Sequence, residues 1–239
     1  MLPEGLTTPV TARIKNKRAA SPAEAVADVK DGSVVMVGGF GRGGVPEILI
    51  DALCDKGVKG LTIISNNTGT HETGIARLLK QGCVKKMICS FPFATESNVF
   101  RDLYNAGKVD LEVVPQGSLA ERIRAGGAGL GGFLTPTGVG TELAQGKQIL
   151  TVNGREYVLE LPLRADVAVI RARQVDPRGN LTYRMAGRNF NPVMCTAADK
   201  VIVEAIEEVE LGSLDPEVII TPGLYVTRYV VAGKYSSRV

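Results

Sequence analysis

The sequence predicts an α/β fold: a mostly parallel open sheet with helices on both faces, and a β-hairpin layer in the C-terminal half. Three observations carry this. Apolar runs of strand length alternate with segments of helical apolar spacing from Val34 to Ala125. One strand-to-helix junction, Gly38 to Gly44, holds five glycines in seven residues. Beyond residue 148 the pattern becomes a hairpin, with Asn153-Gly154 set between two strand-like runs. Strands and helices of this length imply βαβ units whose right-handed crossovers cover both sheet faces.

Residues 1–20 read as a flexible basic arm carrying Arg13, Lys15, Lys17 and Arg18. Residues 21–239 read as one compact domain. Ser21-Pro22-Ala23-Glu24 is a helix start, with serine at the N-cap, proline first and glutamate at N3. That helix is predicted to reach about Lys30, where Asp31-Gly32 turns into a strand at Val34–Val37. Helices are then expected over 46–56, 73–81, 97–105 and 119–125, and strands over 61–65, 85–89 and 111–114. Ser118 and Glu121 make a second capping box, and Gly126 is the expected stop. The stretch Gly126–Gly140 has seven glycines and is too long for a plain connection, which marks it as a functional loop. The hairpin pairs Ile149–Val152 with Glu156–Glu160 across a type I′ turn. Ala165–Ile170 and Lys200–Glu204 read as buried strands, Asp176–Asn180 as a turn, and Thr221-Pro222-Gly223 opens the last segment.

Composition narrows the function. At 239 residues with 44% hydrophobic and 22% charged, the chain is an ordinary globular protein with a substantial core. A net charge of +3 and the absence of Trp give no basis for nucleic-acid binding. No apolar run is long enough to span a bilayer, and the N-terminus has no secretory core. Cys54, Cys83, Cys89 and Cys195 are scattered, and His71 is the one imidazole, so no metal site is expected. Reduced thiols in a cytoplasmic protein are expected.

Chemistry centres on the glycine junction. Glycine lets the backbone adopt positive φ and lie close to a ligand. The first N–H groups of a following helix lack partners and carry its positive dipole end. Gly38, Gly39, Phe40, Gly41, Arg42, Gly43 and Gly44 therefore form a candidate anion site for phosphate, carboxylate or oxyanion. Asn66, Asn67 and Gln116 fall at the C-terminal ends of neighbouring strands, where open α/β sheets bind ligands. Their neutral amides can hold a carboxylate without a tight ion pair. Other readings stand beside these: a plain tight turn for the glycines, an Asx turn for Asn66-Asn67, a helix cap for Gln116. Gly39-x-Gly41-x-x-Gly44 also fits a dinucleotide fingerprint, but the next strand ends Ser65-Asn66-Asn67, without the acidic residue that fold uses.

The sequence resembles the family I coenzyme A transferases. The likeness rests on Asp31 to Pro46, Asn66-Asn67, Pro115 to Leu119, Glu121 to Gly129, Thr135 to Thr141, Asp176 to Tyr183, Ala186 to Pro192 and Thr221 to Gly223. These motifs cover residues 22–232 in family order. More narrowly the chain is similar to the α subunit of two-subunit 3-oxoacid transferases, and Leu130-Gly131-Gly132-Phe133-Leu134 looks like the acetate (or butyrate)–acetoacetate type. The resemblance implies a ping-pong reaction through a glutamyl-CoA thioester, with CoA as substrate and no permanently bound cofactor. It assigns the catalytic glutamate to an S-E-N-G motif in a β subunit; no such motif occurs here. The resemblance therefore implies an α2β2 partner arrangement, a glycine loop serving CoA, Asn66, Asn67 and Gln116 serving the acid, and no catalytic residue in this chain. Arg42 stands where the family carries an apolar residue, as either a CoA-phosphate contact or a loop-tip charge. The competing reading is a non-catalytic module that binds CoA or a sugar phosphate alone.

Overall fold

The computed structural model describes residues 16–93 and 97–232. The strands are β1 (Val34–Val37), β2 (Leu61–Asn67), β3 (Val84–Phe91), β4 (Asp110–Val113), β5 (Phe133–Thr135), β6 (Ile149–Val152), β7 (Arg155–Glu160), β8 (Ala165–Val175), β9 (Leu181–Thr182), β10 (Ala198–Glu208) and β11 (Arg228–Val231). The α-helices are α1 (Pro22–Ala25), α2 (Glu47–Lys56), α3 (Ile75–Lys80), α4 (Val99–Asn105), α5 (Gln116–Ala128) and α6 (Asn191–Thr196). The main sheet runs β11-β10-β8-β1-β2-β3-β4, every pair parallel, with β9 antiparallel on β8. A second sheet, β5-β7-β6, is antiparallel. The predicted α/β sheet with its hairpin layer is therefore present, and Asn153 (φ 51) and Gly154 (φ 74) make the turn expected between its strands.

Alternation along the central strands sends side chains to two cores. Val35, Val37, Ile63, Met87 and Cys89 face α1–α4, while Met36, Ile64 and Ile88 face α5 and α6. Both faces are buried, so the strands read as near-continuous apolar runs.

Several boundaries depart from expectation. Helix α1 stops at Ala25 because Ala27 and Val29 bond three residues back, to Glu24 and Val26, which turns Val26 and Val29 into the core. Helix α3 begins at Ile75 because a Thr70–Thr73 bridge takes up its expected start. Helix α5 starts three residues early, so Ser118 is inside it, and Glu121 pairs with Arg124 instead of capping. It also continues through Gly126 and Gly127. A Cβ at Gly126 would lie 2.0 Å from the Leu163 carbonyl oxygen, and one at Gly127 would lie 2.0 Å from Thr196 Oγ1. Those glycines permit close packing; the stop is Gly129, in the left-handed region at φ 70. The second glycine-rich stretch is thus divided between the end of α5, strand β5 and a short turn. Of the expected flexible arm, residues 1–15 lie outside the described residues. Residues 16–20 are fixed on the sheet edge: Lys17 N–H donates to Pro177 O at 3.3 Å and Ala19 N–H to Tyr229 O at 2.8 Å. Glu96 also lies outside the described residues.

Candidate functional site

The loop after β1 is held mostly by its own protein. Gly38 N–H donates to Val169 O at 3.0 Å, and Gly39 N–H to Asn189 Oδ1 at 3.1 Å. Phe40 and Gly43 exchange N–H···O bonds, both 3.0 Å, closing a tight turn around Gly41 at φ 57. Among the described residues, the N–H groups of Gly41, Arg42 and Gly44 find no acceptor. The glycines are required for different reasons. A Cβ at Gly38 would meet Asn191 Oδ1 at 1.8 Å, and at Gly44 the Gly187 oxygen at 2.6 Å, whereas Gly41 faces open space. The strand order reverses between β8 and β1, where such sheets commonly bind ligands. Here that crevice is filled by Asn189 and Asn191.

The start of α2 corrects the sequence reading. Ile48 N–H donates to Glu204 Oε2 at 2.7 Å, and Leu49 N–H reaches the same oxygen at 3.4 Å. The expected external anion is replaced by a buried internal carboxylate from β10. Burial pushes Glu204 up to about 7, against the pull of Arg171 and the two amides. Arg171 Nε lies 3.6 Å from Glu204, and its Nη1 donates to Val45 O at 3.3 Å.

The loop after β2 repeats the first, thirty positions on. Gly39, Gly41 and Gly44 have φ 127, 57 and 69; Gly69, His71 and Gly74 have φ 94, 52 and 58. Thr70 and Thr73 bridge as Phe40 and Gly43 do. His71 is thus a non-glycine residue where the first loop needs glycine. The two loops enclose a narrow cleft of about 10 Å³, lined by Gly39, Arg42, Val45, Ser65, Asn67 and Thr73 among others. Asn67 Oδ1 accepts from Gly69 N–H at 2.8 Å, the Asx turn foreseen as its plainer role. Ser65 donates to Val37 O at 2.9 Å. Glu47 also lines the cleft, but its carboxylate accepts from Gly74 N–H at 3.1 Å and pairs with Arg77.

Asn66 points to the opposite sheet face. Its Oδ1 accepts from Gln116 Nε2 at 2.7 Å and from Ser90 Oγ at 3.0 Å. Asn66 is 4% exposed, yet its Nδ2 makes no bond among the described residues. Gln116 is exposed and opens α5, where Pro115 offers no side-chain cap. Leu119 N–H takes Pro115 O at 2.8 Å, while the N–H groups of Gln116, Gly117 and Ser118 have no acceptor among the described residues. The free helix N-terminus is therefore that of α5, not α2. The sequence grouped Asn66, Asn67, Gln116 and the glycine loop together. The structure lines them along one sheet edge but splits them: Asn67 with the loop on one face, Asn66 and Gln116 on the other. Sequence reasoning missed Ser90, the second loop, Glu204, and the roles of Asn189 and Asn191. For the last pair the signal was their place in the Ala186–Pro192 motif.

The chain as a whole matches known proteins. The pattern of the family described as coenzyme A transferase matches residues 19–232. The chain is 55% identical over 225 residues to one subunit of the 3-oxoadipate CoA-transferase of Pseudomonas putida, covering 94% of this chain and 97% of that protein. It is 49% identical over 203 residues to the alpha subunit of the acetate CoA-transferase of Escherichia coli strain K12, covering 85% and 91%. Among solved structures, the acyl-CoA transferase of Escherichia coli O157:H7 superposes with TM-score 0.79 at 25% identity, over 91% of this chain. This chain spans 47%, about half, of that longer one. The chain belongs to the coenzyme A transferase family. It is an enzyme subunit of the family I α type.

Proposed function

We propose that this chain, with a separate β subunit, moves CoA from a short-chain acyl-CoA to a 3-oxoacid. The partner's glutamate attacks the thioester carbonyl and displaces the CoA thiolate. The thiolate then attacks the glutamyl carbonyl of the resulting anhydride, releasing the donor acid and leaving a glutamyl-CoA thioester. The acceptor carboxylate reverses these steps, carries CoA away and restores the glutamate.

One observation supports this reading most. The sheet edge offers open amide donors, and the cleft's own carboxylate, Glu47, is already engaged by Gly74 and Arg77. Such an edge can bind and polarise but needs a nucleophile from elsewhere. Gln116, the free Asn66 Nδ2 and the open N–H groups of α5 suit a substrate carboxylate. Neutral donors hold it without over-stabilising the ground state. The N–H groups of Gly41 and Arg42, without acceptors among the described residues, would serve CoA. Donors of this kind, aimed at developing negative charge, each contribute about 3 kcal/mol. The half-length match to a longer transferase chain fits an active site assembled from two halves, in an α2β2 complex.

The acceptor is a 3-oxoacid, with acetoacetate and 3-oxoadipate assayed side by side, since relatives carry both acetate and 3-oxoadipate names. The test is co-expression with the adjacent reading frame, followed by CoA exchange with each acid. Exchange only when both chains are present supports the proposal. Activity from this chain alone, or no association, overturns it. CoA binding without exchange by the pair would make the chain a non-catalytic module. None of its helices is long and apolar enough to cross a membrane, among the described residues, which fits the cytoplasmic setting we propose.

A further inference from the structure

The loop between Gly39 and Gly44 is tied down by a segment 150 residues away in sequence. Asn189 Oδ1 accepts from Gly39 N–H at 3.1 Å and from Phe190 N–H at 2.7 Å. Its Nδ2 donates to Gly43 O at 3.0 Å and to Ala186 O at 2.8 Å. One amide thereby spans both limbs of the turn and uses both of its donors, while its oxygen also takes a third, longer bond from Asn191 Nδ2 at 3.3 Å. Asn191 is 0% exposed and supports the same limb. Its Nδ2 donates to Gly44 O at 3.1 Å and to Gly187 O at 2.9 Å, while its Oδ1 accepts from Arg171 N–H at 3.0 Å. Asn189 sits at φ 21, a backbone setting that side chains other than asparagine and aspartate rarely take.

We propose that Asn189 is a positioning residue for CoA transfer, holding the glycine turn so that the Gly41 and Arg42 N–H groups stay free and fixed. The inference rests on the function proposed above. An amide is required because each end meets a different partner. Aspartate would keep the bonds from Gly39 and Phe190 but set a carboxylate against the Gly43 and Ala186 carbonyls. Glycine would remove the clamp with no backbone penalty, since glycine accepts positive φ.

Three variants test this in the complex with the partner chain: Asn189→Gly, Asn189→Asp and, as a remote control, Asn153→Gly in the hairpin turn. Amide hydrogen exchange at Gly39 and Gly43 and the steady-state constants for acyl-CoA are measured on each. Asn189→Gly should speed exchange at Gly39 by about tenfold, the net worth of about one hydrogen bond. It should lower kcat by a similar factor, with KM for acyl-CoA within about twofold, since the loss falls on transition-state donors. Asn189→Asp should keep Gly39 protected yet still lose kcat, and the control should match wild type. An unchanged kcat in Asn189→Gly, or unchanged Gly39 exchange, overturns the proposal. A wild-type complex without CoA exchange would refute the proposed function, and the Gly39 amide would then decide the clamp alone.

Discussion

Gly126 and Gly117 lie in one helix and should respond oppositely to the same substitution. Alanine for glycine in an open helix gains up to about 1 kcal/mol. At Gly117 nothing lies within 4 Å of a new Cβ. At Gly126 the Cβ would sit 2.0 Å from the Leu163 oxygen and 2.9 Å from its carbonyl carbon. Both are backbone atoms in a fixed seam: Leu163 N–H donates to Arg122 O at 2.8 Å, and Arg164 donates to Gly126 O at 3.0 Å. No rotamer can relieve that overlap, so α5 must move off the segment leading into β8. Overpacking of this kind costs about 1–3 kcal/mol, which exceeds the propensity gain. A 2.0 Å overlap with fixed backbone puts the cost near the upper end, about 2 kcal/mol net of the propensity gain, so at about 2–4 °C per kcal/mol Gly126→Ala should lower Tm by about 4–8 °C. Gly117→Ala should raise it by about 1–3 °C. Thermal unfolding followed by circular dichroism reads both. A Gly126→Ala protein as stable as wild type would refute the account of why α5 carries glycines and where it sets Gln116.

Glu204 makes stability depend on pH. Its folded pKa is raised from 4.5 to about 7, so its contribution is full below pH 4.5 and is lost as pH rises through about 7. At about 1.4 kcal/mol per pH unit the loss is about 3 kcal/mol. Glu204→Gln stays neutral, so in urea titrations it should gain about that much on wild type across the range; a constant difference would contradict this. Gln116→Ala removes the bond to Asn66 and an open donor. It should cut kcat by about tenfold or more with the subunits still associated on gel filtration, and dissociation would instead make its role structural. A Cβ at Gly41 meets no atom within 4 Å, and asparagine tolerates positive φ better than most side chains, so Gly41→Asn tests the loop tip. The fold should hold while the acyl-CoA KM rises by about fivefold, worth about 1 kcal/mol; an unchanged KM would remove the loop tip from the CoA site.

Local rules of sequence carried the alternation of β1 to α5, the parallel sheet and the Asn153-Gly154 hairpin, because each depends on neighbours a few residues apart. The glycine loop and the Asn66, Asn67 and Gln116 positions were legible for the same reason: all follow directly from strand ends. What failed depends on long-range partners. Nothing near α2 announces that Glu204, more than 150 residues on, will occupy its first amides. Gly126 looks like a stop unless the Leu163 carbonyl beside it is known. The separation of Asn66 from Asn67 is plain period-two geometry and was available from the sequence, since adjacent strand residues face opposite ways. The repeat of the first loop in the second stayed hidden because His71 stands at the position of Gly41, so backbone similarity outlasts the sequence likeness.

The central claim is that this chain supplies amide donors while its partner supplies the attacking carboxylate. Intact-mass spectrometry of the assembled complex, incubated with acyl-CoA and no acceptor acid, tests it most directly. The account predicts a CoA adduct on the partner chain, lost on adding the acceptor, and an unmodified mass for this chain. A CoA adduct on this chain would contradict it.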